Sequence, residues 1–137
     1  MRGGRFIPTA VLVLLQFCCC CLWARPTTPH QAEKVVTGWL KADVQPLGTQ
    51  FSQEVMKVET FTNNDGEPVY YIVYLQPSGF VIVPADDLVE PIIGFVDDGT
   101  YDPSLNNPLG ALVTNDLNGR IAAVRDVQRS QATAGME

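Results

Sequence analysis

Val69-Tyr70-Tyr71-Ile72-Val73-Tyr74-Leu75-Gln76-Pro77-Ser78-Gly79-Phe80-Val81-Ile82-Val83-Pro84 is the stretch that decides the fold. From 69 to 75, β-branched and aromatic residues follow one another with no polar alternation. That is the pattern of a strand covered on both faces, and it predicts a central place in a sheet. Pro77-Ser78-Gly79 reads as a turn. Residues 80–83 return as the partner strand, and Pro84, with no N–H to give to a ladder, ends it.

Outward from this hairpin, Pro91-Ile92-Ile93-Gly94-Phe95-Val96 is a third run of the same kind. Between them, Ala85-Asp86-Asp87-Leu88 is polar enough to cross the surface. Upstream, Phe51 to Phe61 reads as a strand, although Val58 breaks its alternation. Asn63-Asn64-Asp65-Gly66 joins it to the hairpin, since Asn, Asp and Gly tolerate tight-turn backbone angles. These residues look superficially like part of a calcium loop. The full acidic pattern with a distal Glu is missing, so the turn is the better reading.

Helices are predicted on either side of the strands. Thr28-Pro29-His30-Gln31 has a capping residue, a Pro suited to the first helical position and a Thr-x-x-Gln box. Ala32, Val35, Val36, Trp39 and Leu40 then give one apolar face. Asp97 to Asn107 is a loop rich in Asp, Asn, Gly and Pro. Asn107 can cap a second helix with Pro108 at its first position. Leu109, Leu112, Val113, Leu117, Ile121, Val124 and Val127 are spaced for burial, and Asn118-Gly119 is a point where that helix can bend or break. The fold class is α+β: an antiparallel sheet of three to four strands packed with two amphipathic helices. A compact two-layer domain without a deep pocket is expected.

The first 24 residues read as an address. Arg2 and Arg5 precede an apolar stretch from Ile7 to Trp23, and Leu22-Trp23-Ala24 offers a cleavage point. This is the pattern of a secretory signal peptide. Competing readings are an uncleaved anchor, for which the stretch is short, and a lipoprotein modified at one of Cys18 to Cys21. The expected organisation is a signal peptide over 1–24, a folded domain over 25–129 and a flexible tail over 130–137. The expected destination is secreted or periplasmic, without stable membrane association after cleavage, a lipid-anchored form being the lesser alternative.

Composition narrows the function. The 137 residues are 46% hydrophobic and 18% charged, enough for one core. The net charge is −6. Losing Arg2 and Arg5 with the leader, which holds no acid, takes it to −8. An acidic chain with few cations is a poor tracker of phosphates, so nucleic acid is not an expected partner. All four cysteines lie at 18–21, and His30 is the only histidine. Residues 25–137 therefore have no thiol nucleophile, no Cys–His pair and no Cys/His zinc set. His30, in a first helical turn, reads as a surface residue. No cofactor and no metal are expected, and the chain does not read as an enzyme.

Four ordered blocks carry a resemblance: Gly79-Phe80-Val81-Ile82-Val83-Pro84-Ala85-Asp86-Asp87, Pro91-Ile92-Ile93-Gly94-Phe95, Gly99-Thr100-Tyr101-Asp102 and Asn107-Pro108-Leu109. Together they resemble the Spi protease-inhibitor family, which is similar to the propeptide of streptopain-type cysteine peptidases. The resemblance extends from about Ala32 to about Val127, and its specific part runs from Gly79 to Leu109. It implies inhibition of a cysteine peptidase, with a loop before the last helix inserting an Asn into the active site and displacing the catalytic His. The matching loop is Gly99, Thr100, Tyr101 and Asp102 through Asn106, Asn107 and Pro108. The matching residue is Asn107, with Asn106 beside it as an alternative. Streptopain has an aliphatic residue where Pro108 stands here.

From the residues alone, the preferred reading of Asn107 is a helix cap, which still leaves its amide NH2 free to donate. Asp97, Asp98 and Asp102 are solvated loop acids or a match for a basic rim that speeds encounter. Tyr101 and Phe95 are contact anchors or core residues, the core being preferred for Phe95. No peptidase domain follows Glu137, so the expected role is a free-standing inhibitor acting in trans. The alternatives are a propeptide fragment or folding assistant, and a secreted binding module of the same fold without inhibitory action.

Overall fold

The computed structural model describes residues 25–51 and 54–135. In chain order they form α1 (Pro29–Ala42), one 3-10 turn (Pro46–Gly48), β1 (Val55–Thr62), β2 (Pro68–Leu75), β3 (Phe80–Pro84), β4 (Gly94–Val96) and α2 (Pro108–Ala134). The strands lie in the order β1-β2-β3-β4, each antiparallel to its neighbour. The α+β class is as expected, with four strands. The signal-peptide reading falls on residues 1–24, outside the described residues.

The hairpin of β2 and β3 is central and dry on both faces. Tyr70, Ile72, Tyr74, Phe80 and Ile82 share a core with Val113, Leu117 and Ile121 of α2. Tyr71, Val73, Leu75, Val81 and Val83 share a second core with Ala32, Val36 and Leu40 of α1. The result is three layers, one helix on each face of the sheet, where two layers are expected from sequence. A strand apolar on both sides needs two covers, and one helix supplies only one.

Local chemistry starts α1 as predicted. The Gln31 N–H donates to Thr28 Oγ1 (3.2 Å) and the Thr28 N–H donates to Gln31 Oε1 (2.8 Å), closing the capping box. β1 is shorter than the Phe51–Phe61 reading. Phe51 lies before it and packs on Trp39 and Phe95, ring centroids 6.1 and 5.2 Å away. A register shift between Val55 and Lys57 explains the broken alternation. With Met56 as the extra residue, Val55 and Val58 both join the core beneath α1, and Phe61 joins the other. Only Gly94–Val96 of the third run pairs as a strand, though the Ile93 N–H still donates to Ile82 O (3.0 Å).

Ala85-Asp86 does not cross the surface. Ala85 and Asp86 are buried, Pro26 pairs with Asp86, and the Thr27 N–H donates to Ala85 O (3.1 Å). Tyr71 Oη donates to Thr27 O, tying this isolated bridge to β2.

α2 runs unbroken through Asn118-Gly119, because Leu117 and Ile121 are buried on either side of it. Its inward row is Leu109, Val113, Leu117, Ile121 and Arg125, each four residues on. The row ends with the Arg125 guanidinium donating to Pro68 O (2.7 Å) and Glu67 Oε2 (2.9 Å). Leu112 and Val127, expected on the buried face, fall off this row and are exposed. The helix continues to Ala134, across most of the segment expected as a tail. No helix among the described residues is long and apolar enough to cross a membrane.

Candidate functional site

The loop from Asp97 to Asn107 leaves β4, runs over the α2-side core and delivers the chain to α2. It is held at three places. At its entry, Gly79 has φ +93°, and a Cβ there would lie 2.6 Å from Val96 O, so the hairpin turn and the loop touch backbone to backbone. The Gly79 N–H donates to Gly99 O (3.3 Å). Ser78 Oγ donates to the Asp98 carboxylate and accepts from the Gly99 N–H (2.8 Å). The Ser78 hydroxyl and then the Gly99 N–H hold the Asp98 carboxyl below its ordinary range.

In its middle, Tyr101 drops inward. Its ring stands edge-on to Phe61 (5.4 Å between centroids) and Tyr70 (6.1 Å), and also meets Phe80 (5.5 Å). Its hydroxyl is 3.0 Å from Tyr70 Oη. Burial, then the hydrogen bond with Tyr70, pushes the Tyr101 phenol well above its usual range. Only 7% of Tyr101 is exposed. It therefore anchors the loop to its own domain and is not available as a contact for a partner, which corrects that part of the sequence reading. Phe95 is half-buried and packs against the α1-side core, 5.0 Å from Trp39 by ring centroids.

At its exit, Asp102 Oδ1 accepts from the Ser104 N–H (2.9 Å), and the Asn107 N–H donates to Ser104 O (3.0 Å). This closes a turn with Leu105 and Asn106 at its tip, Leu105 being 70% exposed. Asn107 is the helix cap: its Oδ1 accepts from the N–H groups of Leu109 (2.9 Å) and Gly110 (3.3 Å). Gly110 is buried under the loop. A Cβ there would lie 2.8 Å from Ser104 O and closer still to Asp102 O, so backbone 102–104 rests directly on the first turn of α2.

Residues 99–108 are thus one continuous, fixed loop. Gly99, Thr100, Asp102, Asn106 and Pro108 are exposed, Asn107 is half-buried and Tyr101 is inside. With Asp97 and Asp98 just before it, the loop offers three carboxylates (Asp97, Asp98 and Asp102) and no cation, an apolar tip, and two amides. Asn107 and Asn106 differ in state. The oxygen of Asn107 is committed to the helix, which leaves its Nδ2 as the edge that can donate elsewhere. Asn106 projects from the tip of the turn.

Leu105, Ser78 and Gly110 are the parts that reading the sequence does not identify. Leu105 has a signal, a lone apolar residue among turn formers in Asp-Pro-Ser-Leu-Asn-Asn. Gly110 and Ser78 have none, because their role depends on which backbone comes to rest against them.

No curated protein and no solved structure is matched by this chain. The family model described as Spi protease inhibitor matches residues 24–118, which takes in α1, the whole sheet, the 99–108 loop and the first part of α2. That match covers more than half of the sequence and all three points that hold the loop, and on it the chain belongs to the Spi protease inhibitor family, whose partner is a protease.

Proposed function

We propose that this protein is a secreted inhibitor of a streptopain-type, papain-like cysteine peptidase, acting through its 99–108 loop and without chemistry of its own. The observation that carries this is the state of Asn107. Two backbone N–H groups fix its side-chain oxygen, so the amide cannot flip and its NH2 is the edge left to donate. A cysteine nucleophile is activated by an adjacent histidine, and an amide donor seated between them replaces that imidazole and leaves the thiol unactivated. A loop already fixed at entry, middle and exit loses little conformational freedom on docking, which favours tight binding.

Asn107→Ser separates the cap from the inserted amide. Serine supplies a cap oxygen of comparable strength but no NH2 donor. The expected outcome is a melting temperature within a few degrees of the parent and inhibition weaker by roughly tenfold or more, measured with streptopain and a fluorogenic substrate. Equal inhibition by variant and parent sinks Asn107 as the inserting residue.

The same proposal places the protein outside the cytoplasm, secreted or periplasmic, with residues 1–24 as the cleaved leader. Supporting it, the residues that follow are tied into the fold at once: the Arg25 N–H donates to Asp87 Oδ1 (3.2 Å) and Pro26 pairs with Asp86. N-terminal sequencing of protein recovered from the culture medium or periplasm is expected to begin at Arg25. An intact leader on the recovered protein contradicts it.

A further inference from the structure

Leu47 is the most exposed large apolar side chain among the described residues, at 92%. It also has φ +53° and ψ +28°, and it is the one non-glycine among them with a positive φ. A branched side chain in this left-handed region crowds its own backbone, and a leucine in water gains nothing from burial. The turn itself does not need it. The Gly48 N–H donates to Gln45 O (2.9 Å) and the Thr49 N–H to Pro46 O (3.1 Å), both through backbone alone. Pro46 is buried, so the base of the turn is fixed while Leu47 projects. Glycine or asparagine would suit these angles better. A residue that is unfavourable both for its backbone and for its solvation is explained by what its side chain meets outside the molecule.

Its position says what that is. The 43–51 segment follows α1 on one face of the sheet and reaches the sheet end where the β2–β3 turn lies. Phe51 rests on Phe95, and the Gln76 N–H donates to Glu54 O (3.0 Å). The 97–107 loop starts from that same end, on the face covered by α2, with Gly99 bound to Gly79. Val44, three residues before Leu47, is also exposed.

We propose that Leu47 is a second peptidase-contact residue: the 43–48 segment and the 99–108 loop flank one end of the sheet and hold the enzyme from two sides, with Leu47 seated on apolar surface beside its cleft. This rests on the reading of the loop as inhibitory.

The test is a pair of substitutions, Leu47→Gly and Leu47→Asn, with Leu88→Asn as an exposed leucine elsewhere. Both Leu47 variants relieve the backbone and are expected to melt at or a few degrees above the parent. They are also expected to inhibit streptopain about tenfold less well, chiefly through faster dissociation. Leu88→Asn is expected to inhibit like the parent. If the parent inhibits, Asn107→Ser is weakened and both Leu47 variants remain as potent as the parent, the second contact is wrong and the loop reading stands. If the Leu47 variants melt well below the parent, Leu47 belongs to the fold and the proposal is overturned. If the parent inhibits neither streptopain nor papain, the inhibitory reading falls and takes this contact with it.

Discussion

The environments of Tyr71, Tyr74 and Tyr101 all disfavour an ionised phenol. Burial raises Tyr71, against the opposing pull of the Arg125 charge. Burial, and then the hydrogen bond and charge of Glu59, pushes Tyr74 up to about 12. Tyr101 is raised further, by burial and by Tyr70. In an unfolded chain these phenols ionise near pH 10. The stability linked to them is therefore complete below about pH 10, and it is lost as pH climbs from there through the raised folded values. The expected result is cooperative alkaline unfolding in which tyrosinate absorbance and loss of circular dichroism rise together. Smooth phenol titration with the dichroism unchanged contradicts it. At this scale the sequence is readable where the chemistry is local. Asn107-Pro108 states a helix cap outright, and the structure has one. Tyr101 is ambiguous in sequence because its environment is built by Phe61, Tyr70 and Phe80, which lie distant along the chain.

Elements were legible to the extent that their patterns are regular. β2 and β3 are continuous apolar runs and sit where expected. β1 is harder to read because of one residue: Met56 shifts the register, and every apolar residue after it changes face relative to simple alternation. In α2, Gly119 looks like a break yet sits in unbroken helix, since two buried leucine and isoleucine neighbours outweigh about 1 kcal/mol of glycine cost. Gly119 is exposed, and a Cβ there meets nothing within 4 Å. Gly119→Ala is accordingly expected to raise unfolding stability by about 0.5–1 kcal/mol, read from the urea midpoint, with inhibition unchanged. A lowered midpoint would mean that the helix needs its glycine.

Across the whole molecule, the class was legible and the layering was not. The run from Val69 to Val83 states that both faces of the hairpin are covered, and so calls for two covers, but which helix takes which face depends on which way each returns, and no local pattern encodes that. The 99–108 stretch was legible as a loop, because turn formers cluster there ahead of a capped helix. How the stretch is held was not, since Ser78 and Gly79 lie in the β2–β3 turn, distant along the chain, and Gly110 matters only through the backbone that rests on it. The Arg125 tie to Pro68 likewise lies beyond the matched segment, so the far half of α2 contributes to the domain that the first half starts.

Tyr101 is at once a member of the proposed inhibitory loop and a wall of the interior. On the proposed loop reading, a library sorted purely for weakened capture of the enzyme is expected to return changes at Phe61 and Tyr70, whose rings pack against Tyr101 inside the domain. Potency would then double as a gauge of internal order, with damage to the packing beneath Tyr101 read out at the rim.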